Sequence, residues 1–247
     1  MATGPTREPI PVIPTPPCPP GSHAAVEMAV EMVLVHNCLI RAINSIYYYA
    51  QHVTKAEDIR DFLHFCAVSV DLIHHHHEGE ESFIFPPWAE ATNRKDLLEN
   101  VAEHREFHDG LDKLGEYART TTPEAYNSQE LFKVLDGFVP PLTSHLNSEV
   151  DRILAMENTD NAVARRILDE GKKKAMDGAS RDKLVPFILG CHDATFEGGK
   201  HFFPPMPGLV KMILVWWYGS KFQATWRFCP SDLYSRPKER ILGPGAA

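Results

Sequence analysis

Apolar positions recur at steps of three and four in four separate stretches of this chain, the period of a helix that buries one face. The first stripe runs Ala29, Met32, His36, Ile40, Ile43 and Tyr47, with Ser22 as its N-cap. The second is Ile59, Phe62, Cys66, Ser69, Ile73, His76, Glu80 and Phe83, and it stops near Phe85-Pro86-Pro87. A third reads Leu97, Val101, His104, His108, Leu111, Gly115 and Ala118, closed by Thr120-Thr121-Thr122-Pro123. The fourth is Leu131, Leu135, Phe138, Leu142, His145, Glu149, Ile153 and Met156. Pro140-Pro141 lies inside it and either kinks one long helix or starts a new one a turn before His145. Four amphipathic helices with short to medium connections predict an all-α fold, an up-down-up-down four-helix bundle over residues 22–157.

Both flanks break this pattern. Eight of the first twenty residues are proline, so residues 1–21 read as an extended, largely disordered arm. Beyond the bundle, residues 158–247 form a C-terminal extension. Residues 161–176 have the pattern of a fifth, more polar helix. Residues 184–240 hold proline, glycine and Trp216, Trp217 and Trp226 with no repeat or strand alternation, and read as irregular, aromatic-rich chain packed on the bundle.

Composition narrows the function classes. A 43% hydrophobic content is enough for a sizeable core. A formal charge of -8 argues against nucleic-acid binding, which needs a basic face. Cys18, Cys38, Cys66, Cys191 and Cys229 are widely spaced and form no CxxC, so all five read as reduced thiols of a cytoplasmic protein. No signal peptide is legible, and the apolar run Met212 to Tyr218 is far too short for a membrane span.

The chemistry lies on the stripes themselves. His36, His76, Glu80, His104, His108, His145 and Glu149 all fall on inward positions, and the pairs 76/80, 104/108 and 145/149 are each one helical turn apart. A lone histidine on an apolar stripe is usually a satisfied core residue. Seven imidazoles and carboxylates aimed at one core are not, because each unpaired buried charge costs several kcal/mol, roughly. The run His74–His77 offers three registers, His74 with Glu78, His76 with Glu80 and His77 with Glu81, and the stripe selects His76 with Glu80. Seven donors exceed what a single four-coordinate zinc needs, and His77-Glu78 is not followed by the second histidine of HExxH. None of the thirteen histidines has a glutamate three residues before it, which excludes the ferritin-type pattern.

The order His, HxxxE, HxxxH, HxxxE resembles the hemerythrin-like (HHE cation-binding) family. The matching text is His36-Asn37-Cys38-Leu39-Ile40-Arg41, the run from His76 through Glu80-Glu81 to Phe85-Pro86, Glu103-His104-Arg105-Glu106-Phe107-His108, and His145-Leu146-Asn147-Ser148-Glu149. The resemblance covers about residues 24–157. The region beyond, with Cys191-His192-Asp193 and Trp226-Arg227-Phe228, is similar to the extension of fungal members. The resemblance implies two iron ions, one held by His104, His108 and His145 and the other by His36 and His76, with Glu80 and Glu149 bridging. It further implies an open position for O₂ or peroxide on the second iron. The oxygen carriers of the family place the last carboxylate as Asp five residues after its histidine, whereas Glu149 follows His145 by four, so reversible oxygen carriage does not carry over. The expectation is therefore a non-haem di-iron oxidoreductase acting on a small organic substrate. A carrier or sensor of O₂ or iron, and a metal that only stabilises the fold, are the competing readings.

Overall fold

The computed structural model describes residues 8–93, 99–177 and 180–239. Leu97 of the third stripe lies outside the described residues, as do the side chains of residues 99–103, Val101 among them. The fold is all-α, with no strand among the described residues. Four long helices make the bundle: α1 (Ala24–Ala50), α2 (Ala56–Gly79), α4 (Glu99–Thr120) and α5 (Ser128–Leu154). Each packs against two others, α4 between α2 and α5 and α1 likewise between α5 and α2, which closes the ring around one core. Phe62, Phe65, Phe107, Phe138, Ile40 and Ile43 fill that core.

Helix α1 starts one residue later than expected. His23, not Ser22, caps it, its Nδ1 accepting from the Ala25 N–H at 3.1 Å, while the Ser22 hydroxyl donates to the Pro19 carbonyl. Asn127 caps α5 by accepting from the amides of Gln129 and Glu130. Pro140 and Pro141 neither end nor restart α5, which is helical throughout. The carbonyls that lose their amide donors there belong to Asp136 and Gly137, both exposed, so water can take the place of the missing bonds.

The second stripe also continues past its expected end. After α2 the backbone makes a π-helical turn, Glu80–Ile84, and runs directly into α3 (Phe85–Thr92), with the prolines in the first turn where no amide is needed. Phe83 is only half-buried, and Ile84, Phe85 and Trp88 enter the core in its place.

The N-terminal arm is not disordered from residue 8 onward; it lies extended along α1. Asn37 and Asn44 each clamp one arm residue by both backbone groups. Asn37 pairs with the N–H and C=O of Ile13 at 2.8 and 2.9 Å, and Asn44 with those of Ile10 at 2.9 and 2.9 Å. Seven helical residues span about 10 Å, and so do three residues of extended chain, so the two clamps are in register. A proline-rich segment has no internal hydrogen bonds, and the amides supply them.

The extension contains more helix than its sequence pattern suggests. Besides α6 (Asn161–Asp177) it forms α7 (Arg181–Cys191), α8 (Gly208–Gly219) and the single turn α9 (Gln223–Trp226). Trp226, Phe228 and Cys229 join the bundle core. All five cysteines are free thiols. No described helix is long and apolar enough to cross a membrane.

Candidate metal centre

Helices α1, α2 and α5 with the π turn bring His36, His76, Glu80 and Glu149 together; α2, α4 and α5 with the same turn bring together His77, Glu80, His104 and His145. Within each group the donor atoms lie within 4.8 Å of one another. Glu80 belongs to both. Its Oε1 stands 2.9 Å from His76 Nε2 and its Oε2 3.9 Å from His104 Nε2, so one carboxylate faces both groups. Glu149 also spans them, with Oε2 3.1 Å from His36 Nε2 and 3.7 Å from His145 Nε2.

Six of the seven residues predicted from the stripes thus meet in two adjoining groups. His108 does not join them; it is half-buried and, among the described residues, gathers only with Glu81 and His104. The inward face of α4 holds the expected 104, 111, 115 and 118 together with 107 and 114, and Phe107 is fully buried where His108 was placed. The Phe107 ring packs 5.0 Å from that of His77 and 5.5 Å from that of His145. His77, which the stripe passed over, is fully buried.

Outer contacts fix which nitrogen of two imidazoles faces inward. His36 Nδ1–H donates to the Leu146 carbonyl at 2.9 Å, leaving Nε2 bare toward Glu149. His104 Nδ1–H donates to Glu81 Oε1 at 2.6 Å, leaving Nε2 toward His145. A carboxylate or carbonyl behind a ligating histidine is the usual way a protein sets tautomer and ring orientation at a metal. Glu81 was not singled out from the sequence, although its place next to Glu80 was the available signal.

The donor set fits a cation. Nε2 of His36 and His76, both ring nitrogens of His77 and both carboxylate oxygens of Glu80 and Glu149 are buried without a hydrogen-bond partner among the described residues. Burial pushes the imidazoles of His36 and His77 well below the ordinary histidine range, with neighbouring imidazoles adding to the effect. Burial, and then the proximity of Glu149, pushes the Glu80 carboxyl well above its ordinary range. The imidazoles are therefore neutral with free lone pairs, while the carboxylates lack positive charge. Bound cations relieve both conditions. The Nε2 atoms of His104 and His145 are 3.1 Å apart, close enough that one ion could be held by both.

A helical bundle with such a core is the architecture of a bundle metalloprotein. The chain belongs to the hemerythrin family: the sequence profile of the Hemerythrin HHE cation binding domain matches residues 28–156. It is also similar to the Dimeric xanthone biosynthesis cluster protein R11 of Cryptosporiopsis sp. (strain 8999), 38% identical over 224 residues, which span 90% of this chain and 86% of that protein. No solved structure matches.

Two clefts, of about 590 and 380 Å³, lie between the arm and α5 and between α3 and the start of α6; neither is lined by a residue of the two donor groups.

Proposed function

We propose that this protein is a non-haem di-iron oxidoreductase that binds and activates O₂ or peroxide for use on a small organic substrate. The observation that carries the reading is the pair of buried donor groups sharing Glu80, whose orphaned nitrogens and oxygens suit two ions better than one. Imidazole and carboxylate without thiolate match non-haem iron. When bound, the iron pair supplies redox chemistry toward O₂ or peroxide.

The chain's own residues define an asymmetric site. His104 and His145 stand at an end sealed by Phe107, and Glu81 holds His104 in place. His36 and His76 make an end with two imidazoles, and His76 is the more open residue, its side chain 13% exposed against 0% for His36 and His104. Fewer imidazoles and the more open side chain at one end support small-molecule access there. The name of the 38%-identical relative, which places that protein in a biosynthesis cluster, supports an enzyme over a carrier.

Metal analysis of iron-loaded protein should give close to two irons per chain. One per chain, or zinc kept in preference to iron, rejects the di-iron reading. The reduced protein mixed with O₂ should consume it and develop a visible absorption band that decays irreversibly, faster with a phenolic reductant. A band that reverses under vacuum identifies a carrier. No band and no oxygen uptake identifies a structural or regulatory metal.

A further inference from the structure

We infer that His77, and not His108, is the third imidazole at the His104/His145 end of the centre; the inference rests on the dinuclear reading above. Helix α2 would then ligate with two adjacent histidines, one for each ion.

Three observations converge on it. His77 is fully buried, and among the described residues both its ring nitrogens lack a hydrogen-bond partner, although its ring lies 4.5 Å from that of His104 and 5.4 Å from that of His145. A buried imidazole with two orphaned nitrogens among three other donors is costly unless something binds it. Next, among the described residues His108 could share an ion with His104 only in the group that includes Glu81, and His104 already donates Nδ1–H to Glu81 at 2.6 Å. A neutral imidazole offers one lone pair, so with Nδ1 protonated His104 ligates inward through Nε2, away from His108. Finally, the spacing explains the shared carboxylate. Glu80 is four residues after His76 and three after His77, and both spacings place side chains one turn apart on a helix. Adjacent histidines diverge by about 100°, so a carboxylate one turn beyond both sits between the two ions they hold.

The test compares variants of the iron-loaded full-length chain by bound iron per chain and by the absorption spectrum of the oxidised centre. His77→Ala should keep close to one iron of two and lose the spectrum of a coupled pair. His108→Ala should keep two irons and an unchanged spectrum. His77→Asn, nearer in volume, guards against collapse of the core, with circular dichroism as the check that each variant folds. Two irons retained by folded His77→Asn, or iron lost from His108→Ala to the same extent as from His77→Ala, overturns the inference. If the unaltered protein itself binds fewer than two irons, the dinuclear reading fails first, and the variants show it by sharing that lower baseline.

Discussion

Helices α6 and α8 both belong to the chain beyond the bundle, yet they treat solvent in opposite ways. Helix α6 is capped by Asp160, which accepts from the amides of Ala162 and Val163. It turns Ala164, Ile167, Leu168 and Gly171 inward against α1 and the π turn. Its cations pair across to α1, Arg165 with Glu27 through two bonds of 2.6 Å and Lys172 with Glu31 at 2.6 Å. Helix α8 is inverted. Its one charged side chain, Lys211, turns inward to the Tyr234 carbonyl and the Ser235 hydroxyl, while Leu209, Val210, Met212, Ile213, Trp216 and Trp217 are exposed. Both faces of α6 thus specify its position, which lets it brace the turn that carries Glu80 and Glu81. Helix α8 is positioned by its inner contacts alone.

The sharpest way to break this contrast is Gly171→Val. A Cβ at residue 171 would overlap the Ile84 Cδ1 methyl in the π turn. The overpacking should cost about 1–3 kcal/mol, seen as a melting temperature lower by several degrees, with weaker iron retention because Glu80 shifts. An unchanged melting temperature and full iron would show that α6 does not brace the site. A middle-sized effect is expected at the inner tether of α8: Lys211→Met should cost about 1 kcal/mol in lost hydrogen bonds and leave bound iron unchanged. Smaller again is Arg165→Ala, at a few tenths of a kcal/mol up to about 1 for an exposed pair, falling with added salt. Its bond to Arg165 holds the Glu27 carboxyl below the ordinary value of 4.5, against a smaller opposing effect of burial. That contribution is complete above about pH 4.5 and disappears as the pH falls below it, so the variant and the parent should converge in acid. Last, Trp216→Gln with Trp217→Gln should change stability by less than about 0.5 kcal/mol. A loss of several degrees would mean that the outer face of α8 contributes to the fold.

The same contrast shows what was legible beforehand. Helix α6 was readable at 161–176 because its two faces differ. Helix α8 was not, because Met212–Tyr218 is apolar all round and an uninterrupted run carries no period. The four bundle helices were readable for the reason α6 was. At the site, a stripe one residue wide selected His76 and His108, but a buried helix face is at least about 100° wide and admits neighbours. His77 fits beside His76 on such a face. On α4 the apolar Phe107 competes with His108 for the core, and burial favours the phenylalanine. The Asn37 and Asn44 clamps were hidden for another reason: they satisfy backbone groups of a distant segment, which no local pattern registers.

The π turn at Glu80–Ile84 is also a matter of counting. The Phe85 amide reaches back five residues to the Glu80 carbonyl, where an α-helix would reach back four. The segment thus holds one residue more than its length in turns requires, and that surplus reconciles two halves of one helical rod. Before it and at its first residue, His76, His77 and Glu80 face the centre; after it, Phe85 and Trp88 face the core. Deleting exposed Ser82 would restore the ordinary count, with Phe85 four residues after Glu80 and in the phase it already holds, so Phe85 and Trp88 would stay in the core. The turn thus absorbs one residue without changing the spatial frame of the rod on either side of it.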